Sequence, residues 1–263
     1  MCLAAISMEL HFQRFGSGPP LVILHGLLGS SDNWISLARR FAERFEVFAL
    51  DLRNHGRSPH GESMSLGDMA EDVVRFANAR NFSRFAMIGH SLGGKVAMET
   101  ALWRPDLVDR LIVVDMAPRA YAPRHVKLIE ALEALDLSAL RNRTEALAAL
   151  EESVPSLPMR QFFLKNLRST DSGGIEWRIN LRGIGENYSF LNQALEAGRM
   201  FEGPTLLLRG GKSDYVTDED GDAMGGLFPA LKFETIANAG HWVHAEAPDT
   251  FYEIASRFLC GGH

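Results

Sequence analysis

The residues with the clearest chemical potential lie in GHSLGGK, positions 89–95, where Ser91 stands between Gly89 and Gly93. The apolar run Phe85, Ala86, Met87 and Ile88 precedes it. Small, helix-tolerant residues, Gly94, Val96, Ala97 and Met98, follow. This order reads as strand, sharp turn and helix, and G-x-S-x-G is the spacing of a nucleophile elbow, in which small neighbours permit a tight turn that holds the serine hydroxyl clear of the sheet edge. Ser91 is therefore the candidate nucleophile. A serine hydroxyl needs a base to take its proton and an acid to orient that base. Candidates follow in chain order: Asp115 after the apolar run 111–114, Asp214 after 205–208, and His241 after 231–236. His241 ranks ahead of His244, His90 and His55 as the base because it immediately follows the last strand.

The same letters satisfy a second motif of another functional class. Gly89 to Lys95 fits G-x-x-x-x-G-K, a phosphate-cradling loop that also follows a strand and opens a helix. That reading fails at the next residue, because Val96 stands where a Ser or Thr hydroxyl must ligate Mg²⁺. Lys95 is then expected as a surface or ion-paired helix residue.

Placing Ser91, an acid and His241 together requires strands that end on one edge. Residues 21–24 form a continuous apolar run, as expected of a strand covered on both faces, and lead into HGLLGS. The loop after such a strand is suited to supply an oxyanion-stabilising amide, so the N–H groups of Leu27 and Leu92 form the candidate oxyanion hole. His25, Leu28 and His90 flank them as candidate pocket residues. Residues 9–15 alternate as an edge strand, and Asp32 is expected to cap a helix from 33 to 41. A strand at 45–50 runs into DLRNHGRSP, whose Asp51, Arg53, Asn54 and His55 are expected to pin that loop by hydrogen bonds. Ser65 and Asp68 read as a capping box for the amphipathic helix that follows. A last helix spans 248–259 and buries Phe251, Ile254, Ala255 and Phe258.

Strand and helix alternate throughout, which predicts an α/β fold with a mostly parallel sheet, helices on both faces and a ligand crevice at the strands' carboxyl ends. Residues 119–203 break the rhythm and are too long for a structureless loop. The expected organisation is a core of 1–118 and 204–263 with a helical cap inserted at 119–203. Phe162, Phe163, Leu164, Leu167, Trp177, Ile179, Tyr188 and Leu191 would form either the cap's underside or its own core.

Composition narrows the partners. The 263-residue chain has a net charge of −6 and 46% hydrophobic residues, so there is no basic excess for nucleic acid or anionic lipid. Cys2 and Cys260 provide neither a disulfide framework nor metal-ligand spacing, and a cytoplasmic location is the default expectation. MCLAAISMEL lacks the basic start and hydrophobic core of a signal peptide, and no run reaches the ~18 apolar residues of a membrane span. The chemistry sketched above calls for no metal or cofactor.

Taken together, HGLLGSSDNW at 25–34, DLRNHGRSP at 51–59, GHSLGGKVAM at 89–98, VDMAP at 114–118 and GHWVHAEAP at 240–248 resemble, in order, the α/β-hydrolase superfamily. RNHGRS and GHSLGGK are most similar to the bacterial YbfF-type esterases and their mitochondrial abhydrolase relatives. The resemblance implies hydrolysis of a small-molecule acyl ester or thioester through an acyl-enzyme on Ser91, with short to medium acyl groups expected. It also favours Asp115 as the triad acid, with Asp214 as the alternative. An acyl transferase, carbon–carbon hydrolase or cofactor-free haloperoxidase would use the same residues, and a non-catalytic ligand-binding member would merely retain them. Acyl length, physiological substrate and oligomeric state stay open.

Overall fold

A computed structural model describes residues 8–171 and 173–261. Cys2 and the apolar start of the chain lie outside the described residues. The strands of the main sheet are β1 (Phe12–Phe15), β2 (Pro20–Leu24), β3 (Glu46–Leu50), β4 (Phe85–His90) and β5 (Val108–Val114) in the first half. Between them run α1 (Ile35–Phe41), α2 (Leu66–Ala79) and α3 (Leu92–Trp103). A long excursion follows, with α4 (Val126–Glu133), α5 (Arg143–Ala149), α6 (Leu157–Leu164), a small hairpin β6 (Leu167–Ser169) and β7 (Ile175–Trp177), and α7 (Leu181–Leu191). The chain then returns with β8 (Thr205–Gly210), α8 (Asp218–Met224), β9 (Leu231–Ile236), α9 (Val243–Glu246) and α10 (Pro248–Leu259).

The seven-stranded sheet has the order β1-β3-β2-β4-β5-β8-β9, parallel except for β1, which pairs antiparallel with β3 at one edge. Its central strands carry continuous apolar runs, 21–24, 85–88, 111–114 and 206–208, because both faces are covered there, and successive side chains divide between two cores. Val22, Leu24, Met87 and Val113 pack with Val73, Val96 and Ala101 of α2 and α3. Leu21, Ile23, Ile88 and Ile112 pack on the other face with Leu37, Phe41, Phe251 and Phe258 of α1 and α10. The switch of strand order at β2, β4 and β5 places the ends of β4, β5 and β8 side by side, the usual position of a crevice in such sheets.

Several local expectations hold, and some shift. The Ser65–Asp68 capping box is present, and β9 and α10 match the expected spans. The edge strand is shorter than 9–15, beginning at Phe12. Asp32 does not cap α1: a 3-10 turn, Ser31–Trp34, precedes the helix, Asn33 Oδ1 accepts the Ser30 N–H at 2.8 Å, and Asp32 accepts from Gln13 Nε2 at 2.7 Å. The stretch between β5 and β8 carries the four helices α4 to α7 and also the unforeseen β6–β7 hairpin.

Candidate active site

Ser91 sits at the bend between β4 and α3 with φ 53° and ψ −118°, a left-handed conformation that an L-residue adopts only where its surroundings impose it. The surroundings are backbone. A Cβ on Gly89 would lie 2.2 Å from the Gly93 carbonyl oxygen, and one on Gly93 would lie 2.5 Å from the His25 carbonyl oxygen. Glycine at both positions lets β2, the elbow and α3 approach closely enough to form the turn.

Three residues separated widely in sequence meet there. Ser91 Oγ lies 3.0 Å from His241 Nε2, and His241 Nδ1 lies 2.7 Å from Asp115 Oδ2. A carboxylate can only accept, so Nδ1 carries the proton and Nε2 presents its lone pair to the serine hydroxyl. Asp115 is fully buried and also has a positive φ of 50° at the end of β5. Its Oδ1 accepts the Gly210 N–H at 3.0 Å, and its Oδ2 also accepts the Ser213 hydroxyl in a short hydrogen bond. Tyr215 stacks on the His241 ring at 3.8 Å and 18°, fixing the imidazole plane.

The second carboxylate candidate is elsewhere. Asp214 is 76% exposed and pairs with Arg124 Nη1 at 2.7 Å. It follows β8 as expected, but its side chain turns outward while its neighbours Ser213 and Tyr215 turn toward Asp115 and His241. Among the described residues, the carboxylate that reaches His241 is Asp115.

Leu27 and Leu92 border the same cavity as Ser91. Leu92 is the first residue of α3, where a helix N–H has no intrahelical acceptor, and the Leu27 N–H has no partner among the described residues. The loop carrying Leu27 is held from several directions. Leu28 has φ 58°, donates its N–H to His55 Nε2 at 3.1 Å, and accepts from Asn166 Nδ2 at 2.8 Å through its carbonyl. His25 donates from Nδ1 to the Gly26 carbonyl at 2.8 Å and accepts the Leu52 N–H on Nε2 at 3.0 Å, so both nitrogens are occupied structurally. Burial holds its pKa below the usual imidazole value and holds His55 at about 3. The roles of His55 and Asn166 in setting this loop were not visible from motif spacing. The loop-pinning read for 51–55 is present: Asp51 accepts the Ser31 and Arg57 N–H groups, and Arg53 makes two bonds to Asp72 at 2.6 and 2.8 Å.

His90 donates Nε2–H to the His241 carbonyl at 2.9 Å, and His244 stacks on Trp34 at 4.2 Å. Burial depresses both pKa values, that of His244 to about 3, so both are neutral rings in the wall rather than titrating groups near pH 7.

Two cavities open from Ser91. The larger, of about 260 Å³, is bordered by His241, His25, Leu28, His90, Phe162 and Phe163 among others. The smaller, of about 40 Å³, is bordered by Leu27, Leu92, Met116, Tyr188 and Leu191 among others. Phe162, Phe163, Tyr188 and Leu191 thus face the crevice, whereas Leu164, Leu167 and Ile179 are buried in the apolar core. Lys95 is also not where the sequence suggested. It is buried in the wall of the smaller cavity, donating to the Gln193 carbonyl, and has no carboxylate partner among the described residues.

A seven-stranded, mainly parallel sheet with its serine at the β4–α3 bend is an α/β-hydrolase arrangement, and the family model for the alpha/beta hydrolase fold matches residues 19–248. The chain belongs to that family. It is 36% identical over 257 residues to the sn-1-specific diacylglycerol lipase ABHD11 of Danio rerio, covering 94% of this chain and 80% of that one. It is 34% identical over 248 residues to the esterase YbfF of Escherichia coli, covering 94% and 95%. A solved marine microorganism esterase superposes with a TM-score of 0.93 at 41% identity, covering 96% of this chain and all of that one. No helix among the described residues is long and apolar enough to cross a membrane.

Proposed function

We propose that the protein is a serine carboxylic-ester hydrolase acting on short to medium acyl esters or thioesters, with Ser91 as nucleophile, His241 as general base and acid, and Asp115 as the carboxylate that orients it. The observation that carries this reading is the continuous hydrogen-bonded series from Ser91 Oγ through His241 to Asp115, at 3.0 and 2.7 Å. In the acylation step Ser91 Oγ attacks the ester carbonyl carbon while its proton passes to His241 Nε2, and the Leu27 and Leu92 N–H groups stabilise the oxyanion. Collapse expels the alcohol or thiol, which takes the proton back from Nε2. Water then repeats the sequence on the acyl-enzyme and releases the acid.

The two cavities divide the substrate. The leaving group must face His241 to be protonated, and His241 borders only the larger cavity. The alcohol or thiol portion is therefore assigned there, and the acyl chain to the smaller cavity beside Leu27 and Leu92. A space of about 40 Å³ supports short acyl groups. Residues 119–203 serve as the cap that roofs both.

The test is a panel of aryl esters and acyl thioesters of increasing chain length, run alongside labelling by a fluorophosphonate. Labelling at Ser91 with rates highest at short acyl groups is expected. Absence of labelling would overturn the nucleophile, and rates still climbing at long chains would overturn the acyl assignment. Transfer to an added alcohol in place of water, measured in the same assay as the ester-to-acid product ratio, separates a transferase from a hydrolase.

A further inference from the structure

The elbow helix carries an unusual second feature, a lysine inside the protein. Lys95 lies one turn beyond Ser91 on α3 and has no measurable exposure. Side chains on a helix lean toward its N-terminus, so Lys95 leans back toward the turn that carries Ser91. An ammonium has three donors. The described residues offer Lys95 the Gln193 carbonyl oxygen and, at 5.1 Å, the face of the Tyr121 ring. Neither neutralises its charge, and burial lowers its pKa only to about 8, which leaves it mostly protonated near pH 7.

The cavity that Lys95 borders has a matching electrostatic character. Its wall also includes Arg124 and contains no Asp or Glu. The carboxylate nearest Arg124, that of Asp214, is exposed to solvent on the outside. An acyl pocket built only to hold a hydrocarbon would gain nothing from a buried, unneutralised ammonium, because such a charge costs several kcal/mol unless something of opposite sign meets it.

Resting on the ester-hydrolase reading above, we propose that the smaller cavity accepts short acyl groups whose far end bears a carboxylate, and that Lys95, supported by Arg124, is the specificity-determining residue that receives it. Ser91 and Lys95 border one cavity of only about 40 Å³, so only a short chain fits between the scissile carbonyl and the carboxylate. The substrate class is therefore a half-ester or half-thioester of a small dicarboxylic acid.

The test compares monomethyl succinate with its neutral isostere methyl 4-methylpentanoate. The ratio of their kcat/KM values is measured for the wild type, Lys95→Met and Lys95→Gln, with active sites counted by covalent phosphonate labelling of Ser91. The wild type is expected to favour the half-ester, and either substitution to lower that ratio about tenfold or more, as loss of a charge-assisted bond in a dry site does. Calorimetric binding of both esters to Ser91→Ala, with Lys95 intact, reads the pocket without turnover and without altering the lysine. Tighter binding of the half-ester supports the proposal even where the wild type hydrolyses neither ester, a result that would sink the hydrolase reading alone. Equal or weaker half-ester binding, or a kcat/KM ratio unmoved by Lys95→Met, overturns it.

Discussion

Replacing Asp115 by asparagine tests the site most sharply, because the structure dictates how the new amide must sit. Asp115 Oδ1 accepts the Gly210 N–H, while Oδ2 faces His241 Nδ1 and the Ser213 hydroxyl. The amide oxygen of Asp115→Asn is held toward Gly210, since an NH₂ there would oppose a backbone donor. The NH₂ then faces His241 and donates to Nδ1, which forces the proton onto Nε2. In that tautomer the imidazole cannot accept the Ser91 proton. The backbone gives no relief, because asparagine tolerates the φ of 50° at this position at least as well as aspartate. A tautomer reversal of this kind lowers kcat by about 10⁴, equivalent to roughly 5 kcal/mol of transition-state stabilisation at 1.36 kcal/mol per decade. The assay is kcat and KM for a short-chain aryl ester, with thermal unfolding to verify the fold. KM should change little, since the substitution does not touch the cavities. Asp214→Asn, which removes only the exposed pair with Arg124, is expected to cost less than about fivefold, as exposed ion pairs contribute about 1 kcal/mol or less. Comparable losses in the two variants, or a larger loss for Asp214→Asn, would refute the assignment.

The remaining predictions concern the nucleophile, the turn, the support of the acid and the pH range. Ser91→Ala should lower kcat by on the order of 10⁶ with the fold retained; residual activity above a few per cent would identify another nucleophile. Gly89→Ala should destabilise by about 3 kcal/mol or abolish folding, because its Cβ would sit 2.2 Å from the Gly93 oxygen, whereas Gly226→Ala, whose Cβ would meet only the Ala223 oxygen at 3.8 Å, should shift a urea midpoint only slightly. Ser213→Ala removes a hydroxyl from the Asp115 carboxylate and should lower kcat roughly tenfold or more with KM nearly constant; an unchanged kcat would make that hydrogen bond merely structural. Finally, His25, His55, His90 and His244 are buried with pKa values below 6.5, those of His55 and His244 at about 3. Below pH 6.5 the unfolded chain binds protons that the folded chain refuses, so stability falls as pH drops from 6.5 toward 3, by about 2 kcal/mol at pH 5 for each of His55 and His244. Urea unfolding at pH 5 and 7 measures this, and equal stability at the two values would contradict the burial argument.

How much of this was legible in the sequence depends on whether a residue's role is set by neighbours along the chain or across it. The central strands declared themselves because a strand covered on both faces carries a continuous apolar run, and the Ser65 cap because its partner Asp68 is three residues away. The G-x-S-x-G turn was legible because Gly89 is denied a side chain by the Gly93 carbonyl of the same motif, although the atoms that crowd Gly93 belong to Leu24 and His25. The hairpin between α6 and α7 was not legible, since three-residue strands carry too few positions to show alternation. The fastening of the Leu28 loop by His55 and Asn166 depends on bonds that cross 27 and 138 positions of sequence.

Asp115, Asp214 and Lys95 show the same limit at the site itself. Both aspartates follow strands that end at one crevice, so strand order brings each within range of His241 and does not choose between them. The choice is made by side-chain direction. Asp115 is turned inward at a positive φ and finds Gly210, Ser213 and His241 as partners, while Asp214 points out to Arg124. Lys95 follows the reverse course. A lysine in a helix is by default a solvated residue, and only the packing of residues 119–203 over α3, with Gln193 arriving from 98 positions away, removes it from water. On the proposed reading of 119–203 as a cap, that segment would do more than roof the crevice. By burying a lysine that the elbow helix alone would expose, that segment converts an ordinary surface charge into one held at the cavity beside Ser91, which is why the charge preference proposed for the smaller cavity would belong to the segment and the sheet together.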